Sequence, residues 1–144
     1  MRRMRVQQTV NRSNGSRLAR AVAVVQGGSY VYFGAWALLR RDDYIARHEL
    51  QGTSHWVLNA HAGWMLLVGS ELLSAGSSGR VHGGTMRLGL ASATALALND
   101  AALLRGIAPI YRSDLAWETV LAFAWLAAIG RGQFGQHPVS KTEA

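Results

Sequence analysis

Asp100, Asp114 and Glu118, together with His55, Asn59 and His61, are the side chains of this 144-residue chain whose types best suit chemistry. Each lies in or beside an apolar run, where an ionisable group costs about 3 kcal/mol or more unless it is paired or hydrated. Asp114 and Glu118 are four residues apart, so a helix sets both carboxylates on one face. Arg105 and Arg112 stand in the same segment. Three chemistries fit this polar cluster. The carboxylates can pair with Arg105, Arg112 or helix-end N–H groups and lock a hairpin. They can instead form a small-molecule or proton site, because carboxyl groups in a low-dielectric pocket trade protons. In the third, His61 and a carboxylate ligate a metal or a haem. His55 and His61 are six residues apart and point to different helix faces, and no Glu-x-x-His pair exists, so the expectation is no metal and no other cofactor.

The chain has no Cys, which removes thiolate catalysis, disulfides and Cys-ligated metal centres. It contains no complete catalytic motif and no phosphate-binding Gly loop, so a non-enzymatic role is expected.

The elements that must position these residues are four apolar stretches, roughly 21 to 39, 56 to 73, 88 to 104 and 115 to 129, separated by short charged connectors. A bilayer core of about 30 Å needs roughly 17 to 25 helical residues, and three of the stretches have that length without Pro. Mean hydropathy is only weakly positive, since Gly, Ala and Ser fill much of the apolar length. A soluble bundle is the competing reading, but the third stretch is apolar or small around most of its circumference and offers water no polar face. The expected fold is all-α, an antiparallel bundle of four transmembrane helices. A basic arm over 1–20 precedes a helical domain over 21–131, and a short tail over 132–144 follows.

Thr53 or Ser54 is expected to cap the second helix, Gly76 to Gly79 to form a turn, and Gly106 with Pro109 to end the third helix. Ser113 or Asp114 then opens the fourth. The third helix carries Thr85, Gly89, Ala93, Ala97 and Ala101 at four-residue spacing, a stripe suited to close helix packing within the bundle or against another subunit. Trp36, Tyr44, Trp56, Tyr111 and Trp117 are expected to gather near one membrane interface. Gln26 is placed to bond across helices, and Glu71 to snorkel or to pair with Arg80 or Arg87.

Orientation follows from basic residues. Arg2, Arg3, Arg5, Arg12, Arg17 and Arg20 precede the first helix, and Arg80, Arg87, Arg131 and Lys141 fall on the same side. Arg40, Arg41, Arg47, Arg105 and Arg112 fall on the other. Both termini are therefore expected in the cytoplasm of a bacterium whose inner membrane holds the protein. The basic arm lacks interleaved aromatic residues, so membrane lipids rather than nucleic acid are the expected contact. Ala35-Trp36-Ala37 has the form of a signal-peptide cleavage site, but the apolar run before it is longer than signal peptides use, which favours a retained helix.

Residues 105–118, RGIAPIYRSDLAWE, resemble the signature R-G-x-I-x-P-[VI]-Y-x-x-D-x-x-x-E of a group of small uncharacterised bacterial four-helix integral membrane proteins, with one residue fewer between Arg105 and Pro109. The Ala-rich third stretch ending at Asp100 fits that group too, and Gly34 to Leu38 and Trp56 to Leu58 fit it more loosely. Pro109 to Glu118 is the specific part. The group carries a basic residue where this chain has Asn59. The resemblance implies the fold and supplies no activity, cofactor or substrate.

These readings converge on an accessory or structural subunit of a larger inner-membrane assembly, such as a respiratory or photosynthetic complex, with other membrane subunits as partners. The alternative is a small-molecule or lipid binder, or a proton-coupled transporter, using Asp100, Asp114 and Glu118.

Overall fold

Runs of Ala and Leu without internal Pro favour helix, and the computed structural model is all-helical, with five helices and no strand among the described residues. Residues 2–48, 50, 52, 54–103 and 110–133 are described, with side chains for 17–48, 50, 52, 54–102 and 112–131. The helices are α1 (Arg2–Leu39), α2 (Arg41–Arg47), α3 (His55–Ser78), α4 (Gly83–Leu103) and α5 (Ile110–Gln133). Four are long. The basic arm continues the first of them, since the α1 backbone is helical from Arg2. The fifth, α2, occupies the charged connector that the sequence reading treats as loop.

The boundaries have local causes. Gly79 adopts φ 73°, a left-handed conformation that costs Gly little, and it stops α3 after Ser78. Arg80 N–H then bonds Ala75 O at 2.9 Å and Gly79 N–H bonds Gly76 O at 3.3 Å, the paired bonds of a Schellman cap. The expected turn over 76–79 is thus mostly helix. Ser54 is the N-cap of α3 but makes no side-chain cap bond. Thr53, Arg105, Gly106 and Pro109 lie outside the described residues. At the start of α4, His82 Nδ1 accepts the Thr85 N–H at 3.3 Å. α5 begins at Ile110, ahead of the expected start at Ser113 or Asp114, because the residue after Pro109 is free to enter a helix.

α1 packs most extensively against α3, α4 against α5, and α1 also meets α5. The α1/α3 seam is built on glycine. A Cβ at Gly27 would stand 2.5 Å from the Leu73 nitrogen and 2.7 Å from the Gly69 oxygen, and one at Gly34 would stand 2.9 Å from the Ala62 oxygen. Gly69 and Gly76 face Tyr30 and Val24 equally closely. Residue 34 meets 62 and residue 24 meets 76, so the two helices run antiparallel.

The α4 stripe divides. Thr85, Gly89 and Ala93 are buried, with Gly89 against the Trp125 indole. Ala97 is half-buried and Ala101 exposed, and both border an apolar groove that α4 shares with Leu115, Thr119, Ala122, Phe123 and Leu126 of α5. Gly89 meets a side chain, whereas Gly27 and Gly34 of α1 meet the α3 backbone itself.

Tyr30, Met65, Val68, Leu72, Leu121 and Trp125 form the central core. A second cluster of Ala37, Tyr44, Leu58 and Ala62 joins α2 to one end of the bundle. Among the described residues, Arg17–Leu39 is the one segment long and apolar enough to cross a membrane by that measure alone. The other long helices carry polar residues within their length: His61 and Glu71 in α3, Arg87 and Asp100 in α4, Asp114 and Glu118 in α5.

Candidate functional site

The C-terminal ends of α1 and α4 and the N-terminal ends of α3 and α5 meet at one end of the bundle, with α2 folded over them. They enclose a cavity of about 280 Å³. Phe33 of α1, Leu58 and Met65 of α3 and Leu96 of α4 form its apolar wall, while Asp100, Asp114 and Glu118 supply carboxylates to it. His61 and Val57 of α3, Asn99 of α4, Trp117 of α5, Leu50, and Tyr44 and His48 from α2 and its C-cap complete the lining.

α2 reaches this position through aromatic contacts. Tyr44 is buried, its ring stacks on His48 with centroids 4.1 Å apart, and it meets Trp36 edge to face at 5.4 Å. Trp36 Nε1 donates to Asp43 Oδ2 at 3.0 Å, and the Arg47 guanidinium lies 5.5 Å from the Trp36 ring centroid. Arg41 fastens the other side, donating to Asn59 Oδ1 at 2.9 Å and to His55 Nδ1 at 3.1 Å. Those bonds account for His55 and Asn59, which are exposed and take no part in the cavity wall. Asn59 and His61 are two residues apart on α3, a rotation of about 200° on a helix, so one faces Arg41 and the other faces the cavity.

Asp100 is 7% exposed and Glu118 6% exposed. Neither is ion-paired among the described residues, where the recorded salt bridge is Arg47 to Asp43 at 3.5 Å. Arg112 is exposed, Arg105 lies outside the described residues, and Glu71 is exposed without an ion pair there. The carboxylates the sequence reading joins do meet. The cation it offers them at Arg112 does not line their cavity.

Glu118 is instead held by a neutral hydrogen-bond chain through the core. Tyr30 O–H donates to Glu118 Oε2 at 2.9 Å. Gln26 Nε2 stands 3.0 Å from Tyr30 Oη, 2.9 Å from Ser92 Oγ and 3.1 Å from Gly89 O, and donates toward them. Trp125 Nε1 donates to Gln26 Oε1 at 2.5 Å. An indole N–H can only donate, so it sets which end of the Gln26 amide faces it. The Gln26 N–H groups then face Tyr30, whose own proton is left for Glu118. Oε1 of Glu118 has no hydrogen-bond partner among the described residues. The sequence reading anticipates that Gln26 bonds across helices, but Tyr30 and Trp125 resemble ordinary core aromatics until the fold brings residues 26, 30, 118 and 125 together.

Asp114 stands one residue before the apolar run that begins at Leu115 and is half-buried. The described aromatic residues of the expected group lie at this one end of the bundle. Trp36, Tyr44 and Trp117 surround this end, Trp56 is exposed, and the Tyr111 side chain lies outside the described set.

No family model, curated protein or solved structure matches the chain. The site's chemistry is accordingly read from its own geometry. Among the described residues no three His, Asp or Glu side chains converge closely enough to hold a metal ion. What the cavity offers is acceptor oxygen on one side and apolar surface on the other.

Proposed function

We propose that this chain is an integral membrane four-helix protein that binds a small organic molecule at one end of the bundle. The carrying observation is the cavity of about 280 Å³, in which Asp100 and Glu118 are nearly fully buried and without an ion pair among the described residues. Burying carboxylates in this way is unfavourable and is characteristic of binding sites rather than of packing. The cavity approaches the lower end of the usual range of ligand pockets, about 300 Å³.

Membrane embedding is supported by the outer surface. Val24, Val25, Leu38 and Leu39 of α1, Leu67 of α3, Leu98 of α4 and Val120, Phe123 and Leu126 of α5 are all exposed. Large apolar side chains are thus exposed on every long helix, the surface that a bundle facing lipid presents. α3, α4 and α5 have 24, 21 and 24 residues and so are about 36, 31 and 36 Å long, enough for a hydrocarbon core. Polar residues within these helices face the core or the cavity in the cases of Asp100 and Glu118, which is how spanning helices accommodate them.

The experiment is native mass spectrometry after mild detergent extraction from the expressing membrane. A retained small molecule that is lost when Val57→Trp or Leu96→Trp fills the cavity supports binding. Identical spectra for wild type and both filled variants would sink it.

A second reading, the accessory subunit, is favoured by one feature: the apolar groove beside Ala97 and Ala101, which a further transmembrane helix could fill. Large subunits co-migrating with the wild-type protein, and lost on Ala101→Leu, would support that reading.

A further inference from the structure

We propose that the ligand is an organic cation, a protonated amine on a compact apolar body. This rests on the binding reading above and adds the ligand's charge and size.

Size comes from volume. A cavity of about 150 Å³ accommodates benzene, with six non-hydrogen atoms. The present one, at about 280 Å³, holds roughly twice that, a ligand of about ten non-hydrogen atoms.

Charge comes from the wall. Asp100, Asp114 and Glu118 line the cavity, and no Lys or Arg is among its described lining residues. An anionic ligand would meet three carboxylates against the two imidazoles of His48 and His61. A neutral one would leave Asp100 and Glu118 protonated or without a counterion, whereas a cation pairs with their ionised forms. A metal ion is a poorer fit, because no three of the His, Asp and Glu side chains in the described residues converge to ligate one. A single ammonium needs only hydrogen-bond acceptors placed one by one.

Glu118 is set up as such an acceptor. Trp125 orients the Gln26 amide, Gln26 donates to Tyr30, and Tyr30 donates to Glu118 Oε2 at 2.9 Å. The carboxyl is thereby held from behind while Oε1 has no partner among the described residues. Tyr30 is thus a positioning residue. The apolar body lies against Phe33, Leu58, Met65 and Leu96, and the Trp117 ring can face the charge.

The test is calorimetric titration of the detergent-solubilised full chain with 2-phenylethylamine, 2-phenylethanol and phenylacetate, which share a ring and differ in head group. The amine is expected to saturate the protein at least tenfold more tightly than the alcohol, with phenylacetate not binding. Glu118→Gln and Asp100→Asn are expected to weaken the amine tenfold or more while leaving the alcohol unchanged, a split that general unfolding would not produce. Tyr30→Phe should weaken the amine and spare the alcohol in the same way. Should the alcohol or phenylacetate bind as tightly as the amine, with Val57→Trp abolishing it, the cation is overturned and the binding site stands. Should all three probes behave alike on wild type and on Val57→Trp, the binding reading falls with it.

Discussion

Tyr30 and Glu118, 88 residues apart in the chain, share a buried hydrogen bond of 2.9 Å that ties α1 to α5 beside the cavity. Removing its donor by Tyr30→Phe leaves a buried carboxylate oxygen unpaired and should destabilise the protein by about 1 to 3 kcal/mol. Glu118→Gln retains an oxygen that accepts the same bond and should cost less. Thermal melting of the two singles and the double measures this. The double should cost less than the sum, because the residues belong to one network. Strict additivity would show that the bond contributes nothing to stability.

The α1/α3 seam should tolerate no added volume. A Cβ at Gly69 would lie 2.8 Å from the Tyr30 Cβ and 2.9 Å from the Gly27 oxygen, so Gly69→Ala should cost about 1 to 3 kcal/mol. Ala93→Leu, in the fully buried half of the α4 stripe, should cost as much or more. Ala101→Leu, at an exposed position, should change stability by less than about 0.5 kcal/mol. Equal melting temperatures for Gly69→Ala and wild type would show that the two helices are not in close contact.

Orientation can be read by single-Cys labelling, since the chain contains no Cys of its own. Ser54 and Ser113 stand at the cavity end of the bundle and Ser78 at the opposite end, and all three are exposed. With the basic N-terminal segment in the cytoplasm, an impermeant thiol reagent on intact cells should modify Cys at 54 and 113 and spare 78. The reverse pattern would invert the orientation.

The helical class and the approximate extent of the long helices were legible in the sequence, because uninterrupted Ala and Leu set local backbone preference and Gly ends helices through a conformation of its own. The carboxylates were legible too: Asp100 falls near the end of one apolar run and Glu118 near the start of the next, so a hairpin brings them to equal depth. Other features depended on contacts between residues distant in the chain. α2 has seven residues, too few to hold helix by propensity, and exists because Tyr44 and Trp36 bury each other. Spacing alone did not show that the α1 and α3 glycines meet backbone while the α4 stripe meets Trp125 at Gly89 and turns outward at Ala101, because the rotation of each helix about its axis decides this. The same rotation turned Asn59 toward Arg41 and His61 toward the cavity. Glu118 found a tyrosine rather than an arginine because α1 lies against α5, a relation that no local pattern encodes.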